Sequence, residues 1–175
     1  MSLLLNIVIY QAIWFLCVLL GNLGALLSLP LLALHFVFSD KRAADARMMV
    51  ILGTMGFIID GSLRAAGVLA LSGWGWPIPL WLGTIWLGLA TLPHHSLWWM
   101  RSRIFVNILF GAIGGPLAYW GGIKLGAASF PLSPEYSLLV LAVVWAVLWP
   151  LVMSLAGRQE ALKPGLSLDR QGDIP

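Results

Sequence analysis

Residues 39–71 read SDKRAADARMMVILGTMGFIIDGSLRAAGVLAL. A basic cluster of Lys41, Arg42 and Arg47 leads into an apolar run, residues 48–71, whose only charges are Asp60 and Arg64. An α-helix needs about 20 apolar residues, within a range of roughly 17–25, to cross a bilayer. Cytoplasmic loops are enriched in Lys and Arg. This one stretch therefore predicts both a transmembrane helix and its orientation, with the basic end inside.

Five further apolar runs flank it, at residues 2–20, about 23–38, 79–98, 104–122 and 137–156. The second is the shortest and contains Pro30. Gly21, Asn22 and Gly24 precede it, so the first two runs read as a helical hairpin. The runs are too long for transmembrane strands and lack their strict alternation. Hydrophobic residues make up 60% of the 175-residue chain and charged residues 10%, against about 25% charged in soluble domains. Such a chain cannot cover a soluble surface. The expected architecture is an all-α, polytopic bundle of six transmembrane helices over residues 1–157. A flexible cytoplasmic tail, residues 158–175, follows, with Pro164, Gly165 and Gly172 in it.

The remaining charges extend the orientation to the whole chain. With six helices, Lys41, Arg42, Arg47, Arg101, Arg103, Arg158, Lys163 and Arg170 share one side, Lys124 alone lies opposite, and Arg64 is intramembrane. Five or seven spans would break this split, so both termini are expected in the cytoplasm. Trp74, Trp76, Trp81 and Trp120 fall at the external interface and Trp98 and Trp99 at the cytoplasmic one, as an aromatic belt requires. No Lys or Arg precedes the first run, so it reads as a retained helix and not a signal peptide. The single cysteine, Cys17, excludes an internal disulfide and a cysteine-based zinc site, and reads as a packing residue. No basic face with interleaved aromatics exists for nucleic acid.

Polar residues inside the runs are the candidate site. Asp60 and Arg64 stand four apart, share a face with Gly53, Gly56 and Gly67, and are expected to pair against the bundle. A self-neutralised pair that pins helix packing is the preferred reading; a proton, ion or headgroup site is the functional one. In the fifth run, Asn107, Gly111, Gly114, Ala118 and Gly122 share a face, and Gly111 with Gly115 makes a small-residue packing step. Pro116 can kink that helix.

The fourth run ends in Thr91, Pro93, His94 and His95. Adjacent helical histidines point about 100° apart and rarely share a metal. A metal site would need His35 from the second run, and hydrogen-bonded interfacial histidines are favoured instead. No metal and no cofactor are therefore expected. Any small-molecule site is expected to open to the cytoplasmic half, lined by Thr91, His94, His95, Asn107 and Asp60 with Arg64. Arg101 and Arg103 beside it suit anionic lipid headgroups, at about 1 kcal/mol each. Asn6, Tyr10 and Gln11 in the first run read as interhelical hydrogen-bond partners. No Ser-His-Asp order, P-loop or dinucleotide-binding motif is present, and Asp60 is the one carboxylate read as lying in the membrane core.

Three blocks carry a family resemblance: Gln11-x-x-Trp14-Phe15, His95-Ser96-Leu97-Trp98, and Gly114-Gly115-Pro116-Leu117-Ala118-Tyr119 followed by Gly122 and Leu125-Gly126-Ala127. Up to about residue 156 the chain resembles a family of small bacterial inner-membrane proteins classed as a domain of unknown function. That family has no assigned activity, so the resemblance implies no catalytic residues. Its members are often encoded near cyclopropane-fatty-acid-synthase-like and other lipid-modifying enzymes, which implies a link to membrane lipid modification or envelope stress. Three roles follow: a non-enzymatic accessory or lipid-handling partner, a small transporter or flippase, and an intramembrane lipid-modifying enzyme. The expected partners are membrane lipids, with a second copy of the chain or a lipid-modifying enzyme as protein partners.

The charge split makes a direct prediction. An alkaline phosphatase fusion at residue 76 should be active and one at residue 45 silent; the reverse pattern would overturn the orientation.

Overall fold

The computed structural model describes residues 1–161. Its six α-helices are α1 (Leu3–Leu20), α2 (Asn22–Phe38), α3 (Arg42–Ala65), α4 (Leu80–Leu89), α5 (Ile104–Lys124) and α6 (Pro134–Ala161). Two-residue strands, β1 (Ala70–Leu71) and β2 (Ala128–Ser129), pair antiparallel, with Ala70 opposite Ser129. Four of the helices, α1, α3, α5 and α6, are long and apolar enough to cross a membrane; α2 and α4 are shorter apolar helices.

Local chemistry explains the helix ends. The Ser2 hydroxyl accepts the Leu5 N–H at 3.3 Å and caps α1. Gly21, at φ 57°, closes α1 and opens α2 in a left-handed conformation that suits glycine. The expected hairpin follows, and a side chain on Gly24 would strike the Leu16 carbonyl. Cys17 is buried in that seam, 3.7 Å from the Ser28 hydroxyl. Pro134 opens α6 at the first helical position, where its missing N–H costs nothing.

Several boundaries differ from the sequence reading. The third helix starts at Arg42 and stops at Ala65, because the chain turns at Gly67 (φ 72°) into β1. The fifth reaches Lys124, and the sixth runs from Pro134 to Ala161, taking in Arg158. The rest of the expected tail, with Lys163 and Arg170, lies outside the described residues. The largest change is the fourth helix, expected over residues 79–98 but helical only over Leu80–Leu89. Ten residues span about 15 Å, half of the roughly 30 Å hydrocarbon core. Pro93 has no N–H to donate and disfavours helix at Leu92, so the chain continues as tight turns.

This broken element occupies the centre. Residues 84–96 are all buried except the half-buried Leu87. α4 packs on α1, α2 and α3, while α5 and α6 form the most extensive helix pair. Cross-links at the two ends show that successive helices alternate in direction. At one end the Met1 ammonium lies 3.6 Å from Asp40, and Gln159 reaches Met48 and His94. At the other, Asn22 donates to the Trp74 carbonyl and Ser72 to that of Ala127. Lys41, Arg42, Arg47, Arg101, Arg103 and Arg158 thus gather at one end and Lys124 at the other.

The α5–α6 seam rests on missing side chains. A Cβ on Gly111 would strike the Trp145 carbonyl, and one on Gly115 the Trp145 indole, whereas Gly122 has open space. Gly111→Ala should lower detergent thermal stability by about 1–3 kcal/mol, since the backbone it meets cannot yield. Gly122→Ala should be neutral or stabilise by roughly 0.5–1 kcal/mol. Equal effects of the two would remove this account of the seam.

Candidate functional site

A chain that leaves helical conformation inside a bundle must find partners for its polar groups. Residues 90–97 do so through side chains of other elements. Asn6 on α1 donates from Nδ2 to Thr91 Oγ1 at 3.1 Å. Its Oδ1 accepts from the Ser96 N–H at 3.1 Å and from the Ser96 hydroxyl at 2.6 Å. Arg101 donates from Nε to the Pro93 carbonyl at 3.0 Å. Partial burial draws the Arg101 pKa below its ordinary value.

His94 and His95 diverge, as adjacent residues should. His94 Nδ1 lies 2.7 Å from Arg101 Nη2, which can only donate, so Nδ1 accepts. The opposite nitrogen, Nε2, then carries the proton towards Gln159 Oε1 at 3.4 Å. His95 turns instead to α3, where its Nε2 is 2.9 Å from Asp45 Oδ2. His35 Nε2, from α2, reaches the same oxygen at 3.0 Å. The Ser39 hydroxyl donates to it as well, and lies 3.4 Å from His95 Nε2. The two imidazoles meet edge to face with centroids 5.2 Å apart. His35 and Asp45 are wholly buried, and Ser39 and His95 nearly so. Asp45 Oδ1 and His35 Nδ1 are buried without a partner among the described residues.

A second polar point lies on the α3 face towards α4 and α5. Asp60, fully buried, accepts from Trp86 Nε1 at 2.7 Å and from the Tyr119 hydroxyl. The expected Asp60–Arg64 pair does not form: no ion pair joins these two among the described residues. Arg64 sits one residue from the end of α3, and its long side chain turns outward. Its Nη1 donates to the carbonyls of Gly75 at 2.7 Å and Pro77 at 3.2 Å, and its guanidinium stacks 5.2 Å from the Trp76 ring.

Two cavities accompany these clusters. A groove of about 620 Å³ runs between α1, α4, α5 and α6, walled by Trp14, Trp86, Tyr119, Trp145 and Trp149 among others. Gln11 and Phe15 on α1 and Phe110 and Leu117 on α5 form its exposed rims, Gly114 and Ala118 line its floor, and Lys124 stands at one end, 4.6 Å from the Trp120 ring. A cleft of about 510 Å³ opens at the basic end, lined by Ser39, Asp40, Lys41, Arg42, Arg47 and Gln159.

The structure does not gather the sequence-derived site residues in one place. Thr91, His94 and His95 all lie on the broken segment but face different partners. Asp60 is at the groove wall behind Tyr119, and Arg64 closes an end loop. Asn107 donates to the Met100 carbonyl at 2.9 Å. Arg103 stacks 5.3 Å from Trp99. Asp45, Ser39, Trp86 and Tyr119 were not anticipated, and Asp45 is a second buried carboxylate, at the basic end. His35 was weighed only as the distant ligand that a metal would require.

Comparison with known proteins supports one part of the resemblance, a family of unknown function. The chain belongs to the family described as "Protein of unknown function (DUF2878)", whose model matches residues 3–151. No curated protein and no solved structure matches it.

Double-mutant cycles test the rearranged partners of Asp60. Asp60→Ala with Tyr119→Phe should show a coupling of about 0.5–3 kcal/mol in detergent unfolding, while Asp60→Ala with Arg64→Ala should be additive within roughly 0.5 kcal/mol. A strong Asp60–Arg64 coupling would contradict the geometry.

Proposed function

We propose that this protein is a non-enzymatic, lipid-handling component of the bacterial inner membrane, with six membrane-crossing segments and both termini in the cytoplasm. In this reading residues 90–97 complete the crossing that α4 begins. The observation that carries the function is the groove between α1 and α5. Its volume, about 620 Å³, lies within the roughly 300–1,000 Å³ of ligand-binding cavities. Aromatic and aliphatic side chains and small residues make up nearly all of its wall, which suits a hydrocarbon chain.

The occupant is a membrane lipid with an anionic headgroup. Its acyl chain lies over Gly114 and Ala118, and its headgroup meets Lys124 at the outer interface beside Trp120. A chain already in the bilayer can enter between the exposed rims of α1 and α5 without crossing water. The genomic association implied by the family resemblance, with enzymes that modify acyl chains, fits the same class of ligand. A partner enzyme of that kind would then meet a lipid presented in a fixed orientation.

Lipid retention tests the proposal. Protein purified in mild detergent should carry co-purified phospholipid, measured by native mass spectrometry. Gly114→Leu, which fills the groove where a Cβ meets nothing closer than 3.9 Å, should lower retention about tenfold, equivalent to 1.4 kcal/mol, with thermal stability unchanged. Lys124→Gln should weaken retention of anionic lipids selectively. A stable Gly114→Leu protein that keeps its lipid would remove the groove as the binding site.

A further inference from the structure

We propose that His35, Asp45 and His95 form a binding site for one divalent first-row transition-metal ion at the basic end of the bundle. The site lies apart from the lipid groove and does not depend on it.

The first argument is convergence. One ligand atom from each residue lies within 4.8 Å of the other two, although the three come from α2, α3 and the segment after α4. The two imidazole nitrogens are 3.0 and 2.9 Å from the same carboxylate oxygen. Ions of this class bind imidazole nitrogen at about 2.0–2.1 Å and carboxylate oxygen at about 2.0–2.2 Å; donors at right angles around one would stand roughly 2.8–3.1 Å apart. Each imidazole nitrogen therefore already has the spacing of a coordination position adjacent to that oxygen. Two histidines and one carboxylate with further positions open is a recognised set for divalent iron, and the same donors suit zinc.

The second argument is the imbalance at Asp45. Three groups, His35, His95 and Ser39, crowd onto Oδ2, while Oδ1 is buried with no partner among the described residues. Buried polar atoms are normally satisfied, and a carboxylate held only by hydrogen bonds would share donors between its oxygens. Crowding on one oxygen is what a common centre beside that oxygen would produce. Burial also favours a specific site: the ligands are 0–5% exposed, so their rotamers are set by packing before any ion arrives.

The third is access. Ser39 both donates to Asp45 and lines the basic-end cleft, so a single side chain stands between the site and a route from solvent. Sequence reading expected no metal because His94 and His95 are adjacent. That geometric argument excludes their acting together, and His94 indeed turns to Arg101. It does not exclude His95 acting with residues fifty or more positions away.

The test uses the full chain in detergent, stripped with a chelator and titrated with Co²⁺ and Zn²⁺. About one ion should bind per chain, Co²⁺ giving ligand-field absorption and each ion raising the melting temperature. X-ray absorption of the Zn²⁺ form should show two imidazoles with oxygen completing the shell. The double variant His35→Gln, His95→Gln should bind about tenfold more weakly or worse. Should that variant fail to fold, the absorption spectrum of the unmodified protein decides alone. Folded protein that binds neither ion, a spectrum with fewer than two imidazoles, or undiminished binding by a folded double variant would each overturn the proposal.

Discussion

The clamp of Asn6 on the segment after α4 is the interaction on which the architecture turns. Non-helical backbone in an apolar bundle exposes donors and acceptors that no water can satisfy. One amide side chain on α1 holds both ends of the break, Thr91 on one side and Ser96 on the other. The break in turn moves the chain off a helical path, so His94 and His95 are delivered to opposite neighbours. Without it, a straight fourth helix would reach the basic end with its histidines on helical faces, and His95 would have no reason to meet α3. The polar cluster at Asp45 is therefore a consequence of Pro93 as much as of the residues that compose it.

The α5 helix shows how one small-residue pattern serves two purposes. Gly111 and Gly115 face Trp145 and let α5 and α6 approach closely. The same face carries Gly114, Ala118 and Gly122, and all five residues line the groove. Small residues on this face are needed because Trp145 and Trp149 of α6 pack against it. These rings are flanked by glycine on the seam side and open to the groove on the other. Their buried N–H groups have no acceptor among the described residues, an arrangement with unspent hydrogen-bonding capacity at the groove wall.

Much of this was legible from the residues alone. Hydrophobic run length gave six helices, and the charge split anticipated the gathering of basic residues at one end. The Gly111–Gly115 step predicted close packing, and Asn6 was read as an interhelical partner. What failed were inferences from local spacing. Asp60 and Arg64 share a face, but the i to i+4 rule says nothing of Trp86 and Tyr119, which lie 26 and 59 residues away in sequence and bind Asp60 instead. Asp45 was missed because it lies among Lys41, Arg42 and Arg47, in the basic stretch that precedes the third run. Helix α3 in fact begins at Arg42, and this carries Asp45 inward. Its two histidine partners are ten and fifty residues distant, so no motif could have announced them.

The two carboxylates buried among the described residues are solved differently, and the difference bears on what each end of the molecule can do. Asp45 sits among groups that can carry charge or bind a cation. Among the described residues Asp60 has only neutral donors, because Arg64 is committed to the carbonyls of Gly75 and Pro77. An uncompensated carboxylate in an apolar site is expensive unless its hydrogen bonds are kept. Tyr119 is one of its two donors and also part of the groove wall. Moving that wall would strand Asp60, so the inner side of the groove is fixed by electrostatics. Its outer side is bounded by exposed residues of α1 and α5, among them Phe15 and Leu117. Asp60, expected to pin packing through Arg64, anchors the groove wall through Trp86 and Tyr119 instead.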